Sequence, residues 1–111
     1  MSKFVKVRTE LRDLALIKRA LDDLKLTYSE NERYTHVWSG HKETAPLVVK
    51  DKRATFALRN NEDGAYEVMG DDMQMGQIKS TLQQIQQRYA YHKVLAEVEQ
   101  DHGRVELLAQ H

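Results

Sequence analysis

The stretch QQRYAYHKVL, Gln86 to Leu95, places Tyr89, Tyr91 and His92 within one helical turn, flanked by Arg88 and Lys93. A histidine held between phenols on an apolar stripe can carry a proton near neutral pH, which makes Tyr89 and His92 a candidate polar centre. The same residues have a structural use: a core-edge histidine bonding one partner, and tyrosines packing as aromatic bodies with their hydroxyls at a polar tip. The structural use is the more economical. Arg88 and Lys93 could grip an anion together with Lys6 and Arg8, or lie in water paired with Glu62, Asp63 or Glu97, and the solvated reading is preferred.

Elsewhere the chemistry is sparser. His36 and His41 flank Ser39-Gly40 but lack a third ligand, and there is no HExxH or other metal spacing. Asp71-Asp72 after Gly70 suits the entry to a helix, where anions are favoured. Glycine-rich phosphate loops and a GxSxG elbow are absent, and Ser2, Ser29, Ser39 and Ser80 have no activating context. With no cysteine, disulfides and thiolate chemistry are excluded. No catalytic residue, metal or cofactor is assigned on these grounds.

The elements that would position these residues follow from periodicity. Phe4 to Leu11 alternates, with Val5, Val7 and Leu11 on one face and Lys6, Arg8 and Glu10 on the other, a strand with one buried side. Asp13 stands at an N-cap position, and Leu14, Ile17, Leu21 and Leu24 form the stripe of an amphipathic helix. Arg33 to Trp38 reads as a strand ended by Ser39-Gly40, and Leu47 to Lys50 as a short strand after Pro46. Ala54 to Arg59 and Ala65 to Met69 flank NNEDG, a hairpin whose Gly64 supplies a positive φ.

A long helix is predicted from near Met75 to about Gln100, stopped by Gly103, with Arg104 to Ala109 as a closing strand. On a wheel at 100° per residue, Ile78, Leu82, Ile85 and Tyr89 share one stripe, continued by His92 and Ala96. Tyr91, Val94, Leu95 and Val98 lie largely opposite. Either the helix bends near Ala90, or it stays continuous and its second stripe is covered by another part of the chain or by another protein. No proline or glycine between Gly76 and Gly103 forces a kink, which favours the continuous helix.

One domain over 1–111 is expected from length: an α+β fold, a mostly antiparallel sheet with one short and one long helix packed on it. A ferredoxin-like topology is one candidate. Seventeen cations balance seventeen anions, so no global field draws the chain to nucleic acid, and the apolar runs are far too short to span a bilayer. The alternating start lacks the apolar block of a secretory signal.

The segment QQRYAYHKVLAE, the opening MSKFVKVRTELRDLALIKRALDDLKL and the middle RNNEDGAYEV resemble the hypothetical chloroplast open reading frame thirty-five family, small proteins of cyanobacterial and algal plastid genomes. Members share a Met-Ser-x-Phe start and a Gln-Arg-Tyr-Ala-Tyr motif. This chain departs from them at Lys3, where members often have His, and in a short loop after Met69 and a short tail. The resemblance implies a cyanobacterial, plastid or related phage setting, a place in the cytoplasm or plastid stroma, and no agreed activity. Family genes near an AAA-type ATPase imply an accessory role with such an ATPase as one partner.

The functional expectation is therefore a non-enzymatic accessory or adaptor protein acting by protein contact, with another protein or a second copy of itself. Tyr91, Val94, Leu95 and Val98 are the expected contact stripe, with Arg88 and Lys93 at its rim. The alternative is an RNA- or small-ligand-binding module on a sheet face bearing Lys6, Arg8, Tyr34 and Trp38, which the neutral charge disfavours.

Overall fold

A computed structural model describes residues 2–109, with side chains through Gln100. Five strands and two α-helices follow in the order β1 (Phe4–Arg8), α1 (Leu14–Asp23), β2 (Thr27–His36), β3 (His41–Lys50), β4 (Thr55–Asn60), β5 (Tyr66–Asp71) and α2 (Met75–Ala109). A single 3₁₀ turn, Asp72–Gln74, leads into α2. The fold is α+β. The sheet order is β1-β5-β4-β3-β2 and every neighbouring pair is antiparallel.

Two expectations are corrected. The segment Arg104 to Ala109 is helical, not a closing strand, and Gly103 lies inside α2. An isolated glycine costs a helix only about 1 kcal/mol relative to alanine, too little to stop one flanked by Glu, Leu and Ala. Without that last strand, the second strand–helix–strand unit of a ferredoxin-like topology is missing. The sheet is instead a four-strand meander with β1 added beside β5.

Sequence alternation explains the main core. Val5, Val7, Leu47, Val49, Phe56, Leu58, Tyr66 and Val68 share the sheet face on which both helices lie. Ile17 and Leu21 of α1 and Ile78, Leu82 and Ile85 of α2 close over them, all buried. Asp13 caps α1, accepting from the N–H groups of Ala15 and Leu16 at 2.9 and 3.3 Å. Gly70 lets α2 approach: a Cβ there would stand 2.5 Å from Ile78 Cδ1.

A second, smaller core forms on the other face. β2 and β3 keep one register throughout, but Asn31 and Pro46 stand opposite each other without pairing. Asn31 takes a positive φ of 51°, a conformation asparagine tolerates, and Pro46 has no N–H to donate. The alternation reverses there. Glu30 pairs with Lys18 of α1, whereas Glu32 pairs with Lys50 on the opposite face. Because β3 is bonded to β4 only from Leu47 to Lys50, the distal half of the β2–β3 hairpin is free to curl across the sheet. There Tyr34 and Ala45 pack with Val48, Ala57 and Met69. Phe4, from the far edge of the sheet, stacks on His41 at 4.2 Å and lies 6.5 Å from Tyr34.

Candidate functional site

The opening motif divides between two tasks. Tyr89 is buried, and its hydroxyl oxygen accepts from the backbone N–H groups of Arg12 and Asp13 at 3.2 and 3.1 Å. That phenol ties α2 to the loop before α1. Arg88 and His92 both reach Asp23 in the last turn of α1: Arg88 Nε at 2.9 Å and His92 Nε2 at 2.6 Å, both to Oδ2. Hydrogen bonds from His92 and then Arg88 hold the Asp23 carboxyl below the usual carboxylate range. Arg88 is thus paired with Asp23 rather than with Glu62, Asp63 or Glu97, and Asp63 takes Arg12 instead. No local pattern marks Asp23 as their partner, since it lies 65 residues from Arg88.

Tyr91 faces the other way. Its ring lies in solvent under the Arg88 guanidinium, 4.4 Å from the centroid, with the His92 ring edge-on at 5.2 Å. Tyr91, Val94, Leu95 and Val98 are 39 to 57% exposed. With Gln87 and Ala90 they line a shallow groove of about 420 Å³. The helix is continuous here, and none of the described chain covers the second stripe. Lys93 is exposed but stands two residues from both Tyr91 and Leu95, a spacing that points it away from the stripe. It does not belong to the rim.

The other face of the sheet carries a polar network. Glu43 accepts from His41 Nε2 at 2.6 Å and from Arg59 at 2.7 Å, and Arg59 also reaches Glu67 at 2.8 Å. Burial pushes the Glu43 carboxyl up, but hydrogen bonds from Arg59 and His41 outweigh it, leaving the group lowered. At the hairpin tip, buried His36 bridges Ser39 Oγ (2.7 Å from Nδ1) and Asp71 Oδ2 (2.9 Å from Nε2). The Ser39 N–H also donates to Nδ1 at 3.2 Å, so the ring proton sits on Nε2 and goes to Asp71.

Serine, histidine and carboxylate in a row invite a nucleophilic reading. The arrangement is instead that of a stapled turn. Ser39 Oγ accepts from the His41 N–H at 3.1 Å and lies within reach of the His36 carbonyl, so these contacts close the six residues His36 to His41 on themselves. The two described concavities lie elsewhere: the stripe groove, and a broader one of about 700 Å³ bounded by Arg8, Arg59, Asn60, Asn61, Glu62, Asp63 and Glu67. Among the described residues no three His, Asp or Glu side chains gather as metal ligands.

The four residues of the alternative binding face are scattered over this side. Lys6 and Arg8 are exposed on β1, Tyr34 is buried in the second core, and Trp38 lies in the exposed turn rather than in a strand. Tyr34 therefore offers no ring for a base to stack upon. Val37 and Met73, which no sequence reading singled out, are exposed beside Trp38 and at the entry to α2. No described helix is long and apolar enough to cross a membrane.

The chain matches the sequence profile of a protein family of unknown function, DUF1257, over residues 20–109, and it belongs to that family. It is similar to the uncharacterized protein ycf35 of Pyropia yezoensis, with 27% identity over 100 residues that cover 87% of this chain and 78% of the relative. That name agrees with the plastid reading-frame family whose Gln-Arg-Tyr-Ala-Tyr motif the sequence carries. No solved structure matches the chain.

Proposed function

We propose that this protein is a non-enzymatic accessory protein that works by protein contact through the second stripe of α2. One observation carries the reading: Tyr91, Val94, Leu95 and Val98 stand exposed at helical spacings of three and four, on a helix whose opposite stripe is already buried. Spacing of that kind is what a partner helix packs against.

The partner that fits first is a second copy, antiparallel to the first. Such a pairing sets Tyr91 against Val98 and Val94 against Leu95. A self-complementary patch closes into a two-fold dimer. The AAA-type ATPase implied by the family resemblance is a candidate for a further partner of the assembled protein.

The chain has no cysteine, which makes the test direct. Val94→Cys, next to the proposed two-fold axis, should form a disulfide-linked dimer under mild oxidation, and Lys93→Cys should not. Equal cross-linking at both positions, or none at Val94→Cys, contradicts the pairing.

A further inference from the structure

Asp23 is the last residue of α1, a position poorly suited to a carboxylate. Backbone carbonyls at a helix C-terminus carry negative partial charge, so an anion there opposes the helix. Yet the place is sharply defined. The Lys25 N–H reaches the Asp22 carbonyl and the Leu26 N–H reaches the Leu21 carbonyl, both at 3.0 Å, which closes α1 just after Asp23. Lys25 takes the positive φ of 56° that this closure requires, where glycine would be unstrained. The chain thus accepts two local penalties to fix one carboxylate beside α2.

That carboxylate gathers three donors on a single oxygen. Arg88 Nε lies at 2.9 Å, Arg88 Nη2 at 2.8 Å and His92 Nε2 at 2.6 Å, all from Oδ2. The three side chains are partly exposed, and ion pairs in that setting add little to folding. What the clamp fixes is orientation. An arginine side chain has many rotamers, and two N–H groups on one carboxylate oxygen select among them. Held in this way, the Arg88 guanidinium covers the Tyr91 ring, 4.4 Å from its centroid. The His92 ring stands against the same phenol at 5.2 Å and 77°. Guanidinium, phenol and imidazole form one cluster whose anchor is Asp23.

We infer that Asp23 is a positioning residue for the α2 pairing: through Arg88 and His92 it holds Tyr91 in the orientation in which a second copy meets it. The inference rests on the pairing proposed above, in which Tyr91 lies against Val98 of the second copy. A side chain left free in the monomer must be ordered on association, and each one so ordered weakens the complex. Here Tyr91 and Arg88 are ordered beforehand, once in each copy, so the gain counts twice in a two-fold dimer. The affinity of the stripe is thereby tied to α1, an element that does not line the groove. Displacing the last turn of α1 releases Tyr91 and loosens the pair.

Sedimentation equilibrium on the full chain measures the pairing, and side-chain couplings in nuclear magnetic resonance report the Tyr91 rotamer. The couplings are read in Leu95→Asp/Val98→Asp, which keeps the clamp and removes the pairing, with and without Asp23→Ala. The expected result is one fixed Tyr91 rotamer in that monomer, and averaged couplings once Asp23→Ala is added. In the wild-type background Asp23→Ala should weaken dimerisation about 10-fold. Arg88→Lys keeps the charge but loses the flat face and the fork, and should weaken it likewise. In a Tyr91→Leu background Asp23→Ala should have no further effect, because it acts through that ring. Circular dichroism checks that each variant folds. The inference is overturned if Tyr91 already averages in the parent monomer, or if the Asp23→Ala effect persists in full in Tyr91→Leu. A dimer indifferent to Asp23→Ala overturns the inference alone, whereas a wild type that stays monomeric overturns the pairing and the inference with it.

Discussion

The two halves of α2 are built from similar residues and have opposite fates. From Met75 to Tyr89, apolar side chains recur on one stripe and every one of them is buried. From Tyr91 to Val98, an equally apolar stripe faces solvent. The difference is not one of helix propensity, since the helix runs unbroken through both. It lies in what the rest of the chain can reach. α1 ends at Asp23, and its last carboxylate is already used to clamp Arg88 and His92. Beyond that clamp the helix continues with no neighbour among the described residues, in a molecule 66 Å long and only 26 Å across.

Truncations should separate the halves most sharply. Ile85→Ala opens a cavity under α2 and should cost about 2–5 kcal/mol, whereas Val94→Ala in the monomer should stay within about 0.5 kcal/mol. Chemical denaturation of the two variants beside the wild type decides this. A large loss from Val94→Ala would mean that the second stripe is packed.

The tyrosines give a finer version of the same contrast. Tyr89→Phe removes the acceptor for two backbone N–H groups and should cost about 1–3 kcal/mol, while Tyr91→Phe should be close to neutral. Gly70→Ala should also destabilise by about 1–3 kcal/mol, because the new methyl meets Ile78 Cδ1. Adding Ile78→Val, which deletes that atom, should recover part of the loss. Thermal melts of the single and double variants measure the recovery.

The smallest effect concerns the clamp itself. The Asp23, Glu43 and Asp71 carboxyls are all lowered from their ordinary values of 3.8, 4.5 and 3.8. A carboxylate whose folded pKa lies below its unfolded one adds stability that is complete above the unfolded value. That stability is lost as pH falls through the folded one. The melting temperature should therefore decline as pH drops below about 4.5, and Asp23→Asn should make the decline shallower. An unchanged acid profile in Asp23→Asn would mean that the clamp adds nothing to folding.

What could be read from sequence followed short-range pattern. Asp13 as a cap, the Leu14–Leu24 stripe, the hairpin around NNEDG and the start of α2 near Met75 all rest on neighbours within a few residues, and the fold has them. Two apolar stripes on one helix were also legible, since the wheel needs only the helix. The rest depends on long-range competition. Gly103 resembles a stop until the helix-forming residues on both sides are weighed against its modest cost. The reversal at Asn31 and Pro46 left no pattern, because two irregular residues had to fall opposite each other before the faces could exchange. That reversal buried Tyr34 and sent Trp38 to the tip, so Lys6, Arg8, Tyr34 and Trp38 could not be one surface. Asp23 reads from its own helix as a residue left in water, because its partners are distant in sequence.

The central claim is that the second stripe of α2 is an interface between chains and not part of a core. Light scattering on the wild type beside Leu95→Asp/Val98→Asp, with melting curves for both, tests it most directly. The expected result is a wild-type dimer and a folded, monomeric variant that melts cooperatively. A variant that unfolds, or a wild type that is monomeric at every concentration reached, would contradict it.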